Sequence, residues 1–278
     1  MYHHHMRMLF QRLFIIVVFL CIVSPFAWCL LISLQGWAEV NSNYAIVLPE
    51  ALHVGNYMDI LRNGRFASGL LNSLIISLIS VVVNLIISVP AGFALSRVKT
   101  PLTKFFFRML LTFSFVPMIL LAVPMRDMLR AMGLSNTHLM VALPMSALVI
   151  TVMMFWQFYA RFPKDMDDCA TMMGLTPIGS FIHVYLPVSG RMMVYAAIMQ
   201  FVTTWSCAFF PMFMYRGVRG MATVQYALLQ FTLSPGRIYL GMAAAILACL
   251  PCWLLYVVRY RMKPPETDEI ADPFRNSN

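Results

Sequence analysis

Reactive and ligand-binding side chains are sparse in this sequence, and their spacing disqualifies most of them. His3-His4-His5 is the densest run of potential metal ligands. Three adjacent imidazoles without Cys, Asp or Glu partners lack the spread of a ligand set, and we read them as part of a terminus. Cys249-Leu250-Pro251-Cys252 has the gap of a redox dithiol. It lies in an apolar run without a thioredoxin-like context and reads as structural. Five of the six cysteines sit in such runs, where Cys behaves as a small hydrophobe. No segment reads G-x-x-x-x-G-K-[ST], so the chain lacks a phosphate-cradling loop of its own. His138 and His183 have no nucleophile motif beside them. No metal, cofactor or catalytic residue is expected.

Two milder groups remain. Asp165, Asp167 and Asp168 cluster between Pro163 and Gly174. Asn84, Tyr195, Gln200, Thr203, Thr204 and Trp205 lie in otherwise apolar stretches. Rings and amides of this kind can stack on a small solute and hydrogen-bond its polar groups. Membrane bundles also use the same residue types to tie helices together, and both readings stand at this point.

The elements that must position these residues follow from composition. The 278 residues are 60% hydrophobic and 11% charged, with a mean hydropathy of +0.76. A disordered chain is excluded by the hydrophobicity. An ordinary soluble enzyme is excluded because so much apolar surface cannot be hidden in one core of this size. Six stretches are long enough to cross a bilayer: Leu13–Leu34, Gly69–Leu95, Met109–Met125, Leu139–Ala160, Met192–Tyr215 and Ile238–Val258. None contains Lys, Arg, Asp or Glu. The runs are continuous rather than alternating, which argues for helices over a barrel. The expected fold class is therefore an all-α polytopic membrane protein with six transmembrane helices. Residues 1–12 are expected to form a cytoplasmic N-terminus, 13–260 the six-helix transmembrane domain, and 261–278 a cytoplasmic tail. The first apolar run is too long for a cleaved signal peptide and reads as an uncleaved span. Pro90, Pro117, Pro144 and Pro251 lie in or near spans and are expected to bend them.

Charge placement orients the bundle. One side carries Arg7, Arg12, Arg97, Lys99, Lys104, Arg108, Arg161, Lys164, Arg191, Arg259, Arg261, Lys263 and Arg275. The other carries Arg62, Arg65, Arg126, Arg130, Arg216, Arg219 and Arg237. Thirteen against seven favours both termini in the cytoplasm. The net charge of +9 is thus a topology signal, and no nucleic-acid partner is expected. The outer segment Gly36–Ser68 carries Glu39, Glu50, Asp59, Arg62 and Arg65 and reads as a solvated connector able to meet an external protein.

The spans hold no ionisable residue, which argues against an ion-coupled carrier. A passive pore would need a filter or charged ring, and none is evident. A scaffold for another membrane protein is a further alternative. A membrane protein without its own energy chemistry is either such a pore or driven by another subunit, and residues 161–191 form its longest inner loop. Pro163 suits the first turn of a helix, and the three Asp favour its dipole. Gly174 suits its stop, and Pro177 starts a second helix with Phe181, Val184 and Tyr185 on one face. Spacing alone leaves open whether this is an ordinary interfacial loop or a docking corner.

This segment resembles the EAA loop of ABC-importer permeases, Glu-Ala-Ala, three residues, Gly, nine residues, Ile-x-Leu-Pro. Here it reads Asp168-Cys169-Ala170, three residues, Gly174, nine residues, Val184-Tyr185-Leu186-Pro187. Asn72-Ser73-Leu74, Ala91 to Arg97, Met132 to Thr137 and Phe201…Trp205-Ser206…Pro211 are similar to carbohydrate-type permeases, so the likeness covers about residues 69–258. Met173 stands where those permeases commonly have Asp, and Ser206 where they have Asn. The resemblance, to the small permease of maltose-type transporters, implies a subunit forming half of a sugar pathway. It makes Asp168, Cys169, Ala170, Gly174, Val184, Leu186 and Pro187 parts of a cytoplasmic coupling helix between spans four and five. It implies a second permease, two cytoplasmic ATPase subunits, an extracytoplasmic solute-binding protein and membrane lipid as partners.

Overall fold

The computed structural model describes residues 2–41, 48–215, 220–234 and 236–261. The tail beyond 261, the side chains of His3, His4 and His5, and Arg216 and Arg219 lie outside the described residues. Among those described, the regular elements are all helical. They are α1 (Tyr2–Ser33), α2 (Trp37–Asn41), α3 (Gly55–Arg62), α4 (Gly64–Arg97), α5 (Pro101–Ser114), α6 (Met118–Ala131), α7 (Leu139–Ser146) and α8 (Val149–Ala160). Then follow α9 (Asp165–Met172), α10 (Pro177–Ser180), a π-helical turn Phe181–Tyr185, α11 (Leu186–Val188), α12 (Gly190–Ser206), α13 (Phe209–Met214), α14 (Val224–Thr232) and α15 (Ile238–Arg261).

α1, α4 and α15 are single helices of 32, 34 and 24 residues. Each exceeds the roughly 30 Å of a hydrocarbon core at about 1.5 Å per residue. Pro90 and Pro251 lie inside continuous helices. The other expected spans are broken, and proline chemistry explains where. Met109–Met125 is two arms, α5 and α6, bent by 107°. Pro117 stands at the bend with extended backbone; it has no N–H to donate and disfavours helical backbone at Val116. α7 and α8 are bent by 42°, two residues beyond Pro144. The fifth stretch parts at Cys207 and Ala208 into α12 and α13. Pro211 lies four residues past Cys207, where its ring would strike the carbonyl of a continuous helix.

The chain forms two compact units. The first comprises Met1–Leu70 and Val224–Leu250. In it, Asn56 Nδ2 donates to the carbonyls of Ser33 and Gln35, both at 2.9 Å, and so satisfies backbone left open at the end of α1. Gly241 lets α15 approach α14, since a Cβ there would meet Thr232 Cγ2 at 2.8 Å and its Cα at 3.0 Å.

The second unit comprises Leu71–Thr223 and Pro251–Asn278 and holds two apolar cores. One gathers Ile76, Leu129, Met140, Val141, Met145, Phe210 and Met214 from α4, α6, α7 and α13. The other gathers Val89, Phe93, Phe155, Tyr159, Phe162, Tyr185 and Ala196. Gly92 permits this second core, because a Cβ there would lie 2.4 Å from Phe155 Cβ and 2.8 Å from the Trp156 nitrogen. Asn72 pins a distant segment. Its Nδ2 donates to the carbonyls of Gly220 (2.9 Å) and Ala222 (3.0 Å), and its Oδ1 lies 3.1 Å from His138 Nε2.

Candidate functional site

The corner at 161–191 begins with α9, whose first turn carries Asp165, Asp167 and Asp168. The carboxylates stand where unsatisfied N–H groups favour negative charge. The helix ends in a Schellman motif. Leu175 N–H donates to the Ala170 carbonyl (3.0 Å) and Gly174 N–H to that of Thr171 (2.9 Å), with Gly174 at φ +76°. Thr176 then caps α10 by accepting from Gly179 N–H (3.2 Å), and Pro177 fills its first turn. The arms on either side of Gly174 meet at 116°. This pair has the length of a broken span, but three carboxylates at its start place it outside the hydrocarbon.

Arg97, the last residue of α4, holds the corner in place. Its Nη1 donates to Asp167 Oδ2 (2.9 Å), and Nη2 to the carbonyls of Tyr159 (2.6 Å) and Phe162 (2.8 Å). The guanidinium also sits 5.1 Å from the Tyr185 ring centre. Tyr185 is fully buried and donates its hydroxyl to Asp167 Oδ1. Burial first, and this hydrogen bond second, push its phenol well above the ordinary tyrosine range, so it remains a donor at neutral pH. Phe93, Phe162 and Tyr159 ring it at 5.0, 5.6 and 5.9 Å. One side chain thus ties the ends of α4 and α8 to α9 and to the π-helical turn.

The residues assigned to the loop motif divide into two roles. Ala170 is buried, and Val184 and Leu186 pack against the second apolar core. Phe181, Val184 and Tyr185 share that packing, as their spacing implies. Asp168, Cys169, Gly174 and Pro187 are exposed. Beside them Met172 and Met173 are 88% and 67% exposed, an apolar tip on a polar corner. In the sequence Arg97 stands out only as a charge within a family-like run, and Asp167 only as a helix-start carboxylate. Their pairing spans 70 positions, and no local pattern signals it.

The polar residues of the spans are placed differently. Where α7 breaks from α8, the Met145 carbonyl loses its regular helical donor, and that of Ser146 accepts from Leu148 N–H (3.0 Å) in place of its own. Gln200 Nε2 donates to Met145 O (2.9 Å) and Asn84 Nδ2 to Ser146 O (2.7 Å). Gln200 also donates to Thr204 Oγ1 (3.0 Å). Asn84, Gln200, Thr204 and Trp205 are buried, Trp205 stacking on Phe201 at 5.5 Å. Tyr195 is half-buried with Arg259 5.7 Å from its ring centre. Thr203, bonded to the Met199 carbonyl (2.8 Å), is exposed, as is Ser206.

A charge-poor helical bundle carrying a clamped helix–Gly–helix corner has the layout of a membrane transport component. Residues 84–264 match the family described as binding-protein-dependent transport system inner membrane component, and the chain belongs to that family. The sulfoquinovosyl glycerol transport system permease protein of Agrobacterium fabrum is 29% identical over 183 residues, 65% of this chain and 64% of that one. The trehalose transport system permease protein of Mycobacterium tuberculosis is 30% identical over 184 residues, 66% of each chain. The chain therefore matches a little under two thirds of the length of these two relatives. The arabinooligosaccharides transport system permease protein of Halalkalibacterium halodurans is 27% identical over 239 residues, 84% of this chain and 85% of that one. A chain from a bacterial ABC transporter involved in the import of the acidic polysaccharide alginate superimposes with a TM-score of 0.79 at 16% identity, covering 93% of this chain and 97% of that one. One from a methionine ABC transporter gives 0.59 at 19%, covering 77% and 97%. This chain has the fold of those permeases.

Proposed function

We propose that the chain is one of two permeases lining the pathway of a carbohydrate importer, driven by two cytoplasmic ATPase subunits and supplied by an extracytoplasmic solute-binding protein. The observation that carries this reading is the Arg97–Asp167–Tyr185 clamp. It makes the 161–191 corner move as one body with the ends of α4 and α8, so that a push on the corner reaches the spans. The exposed tip at Met172 and Met173, with Asp168 and Cys169 beside it, is the surface that meets the ATPase. Both termini and this corner then face the cytoplasm, in line with the distribution of Lys and Arg. Relatives named for trehalose and arabinooligosaccharide transport support a carbohydrate as the solute class.

Within the pathway group, Thr203 is exposed and Tyr195 half-buried, whereas the other four are buried within the chain. We place Thr203 and Tyr195 along the shared path. Asn84, Gln200, Thr204 and Trp205 shape that path through the helices they join.

Co-purification tests the reading. Gly174→Pro should release the ATPase subunits while the permease pair stays intact. Unchanged ATPase binding and transport would remove the docking role. Solute movement by this chain with no ATPase present would favour a pore or carrier instead.

A further inference from the structure

A groove of about 650 Å³ opens beside the clamp, between the end of α4, the start of α5, the end of α8 and the start of α9. Its volume lies within the range of small-molecule sites. Arg97 forms part of the wall, but that guanidinium is committed to Asp167 and two carbonyls. Lys99, Lys104, Arg108 and Lys164 also line it, each exposed and each without an acidic partner among the described residues. Asp167 and Asp168 are the acidic residues on the wall, so five cations face two carboxylates. The other wall is aromatic: Phe107 and Trp156 lie with ring centres 4.7 Å apart, both half-buried. Cations at the rim over an aromatic pair, at the ends of spanning helices, fit an amphiphile with an anionic head. Basic pockets at helix ends beside the membrane surface take phosphate-bearing headgroups, and tryptophan settles at the same depth.

We propose that this groove binds an anionic phospholipid. The phosphoryl group rests among Lys99, Lys104 and Lys164, and the glycerol and first acyl carbons lie on Phe107 and Trp156. The headgroup would bridge the α4–α5 link to the start of α9 and so brace the corner. The inference goes beyond the transport reading and needs only that these helix ends meet the membrane surface. ATPase docking could fail while lipid binding held, and the reverse.

The test uses the full chain within its assembled complex, exchanged into mixed vesicles of phosphatidylglycerol and phosphatidylcholine and analysed for retained lipid by native mass spectrometry. Wild type should retain phosphatidylglycerol selectively. Each basic residue near an anionic membrane surface adds several-fold to lipid affinity, so Lys99→Gln, Lys104→Gln and Lys164→Gln combined should cut retention on the order of a hundredfold. Arg7→Gln, Arg12→Gln and Arg261→Gln combined, removing the same charge elsewhere, should not. A readout on the unmutated groove guards against a variant that misfolds. Brominated phosphatidylglycerol should quench the fluorescence that is lost in Trp156→Phe, and brominated phosphatidylcholine should quench it several-fold less. Equal retention by wild type and the groove variant, or equal quenching by the two lipids, would overturn the proposal. So would full displacement by millimolar inorganic phosphate, which would mark a free-anion site, or crosslinking of Lys104 to a partner subunit in place of lipid.

Discussion

Arg97 Nη1 lies 2.9 Å from Asp167 Oδ2, a contact between the end of one long membrane helix and the first turn of a short surface helix 70 residues later. The same guanidinium reaches two carbonyls at the end of α8. Its fork therefore has three acceptors, which a lysine ammonium on a flexible stem cannot match in geometry. Arg97→Lys should keep the complex assembled but reduce transport about tenfold relative to ATP hydrolysis. Arg97→Ala should also cost about 3 kcal/mol of stability, because it leaves partly buried acceptors unmatched. Paired measurements of solute uptake and ATP hydrolysis in vesicles, with thermal unfolding of the purified complex, check both outcomes.

Gly174 tests the corner from its backbone. It adopts φ +76°, and an added Cβ would meet nothing within 4 Å. The cost of Gly174→Ala is therefore conformational, about 1–2 kcal/mol. Gly174→Asn should be milder, since Asn tolerates this region better. The amount of ATPase that co-purifies should fall in the order Gly, Asn, Ala.

Gly92 presents the opposite case. Its backbone is ordinary helix, but an added Cβ would strike Phe155 Cβ at 2.4 Å and main chain at 2.8 Å. Main chain cannot swing aside, so α4 and α8 must separate. Gly92→Ala should lower stability by about 1–3 kcal/mol, the range of overpacked cores. Loss of the clamp should follow, read as faster proteolysis within 161–191.

Gln200 and Thr203 separate helix joining from solute contact. Gln200→Leu strips the donor from the Met145 carbonyl, at about 1–3 kcal/mol for a buried group left unpaired. Its KM for solute should stay close to wild type if enough folded complex survives. Thr203→Ala should leave the unfolding midpoint unchanged and raise KM several-fold. The reverse pattern would exchange the two roles.

How much of this was legible beforehand differs from residue to residue. The helix stop at Gly174 and the start at Pro177 were readable, because both rest on backbone preferences local to a few positions. The facing set Phe181, Val184 and Tyr185 was readable for the same reason, as helical spacing alone puts them on one side. The break at Pro117 was readable as a bend, but not as a turn of 107°. That angle depends on what each arm packs against.

The amino-acid sequence alone determined that the chain is a charge-poor helical membrane protein, where its apolar stretches run, and where the surface corner starts and stops. Hydrophobic length, charge and proline or glycine position act locally, so a linear reading reaches them. Only the tertiary structure decided that Arg97 finds Asp167, that Gln200 and Asn84 donate to the two carbonyls at one helix break, and that Gly92 must remain small. Each of these depends on which distant helix ends come within a few ångströms, and that proximity is set by packing of the whole unit rather than by neighbours in sequence.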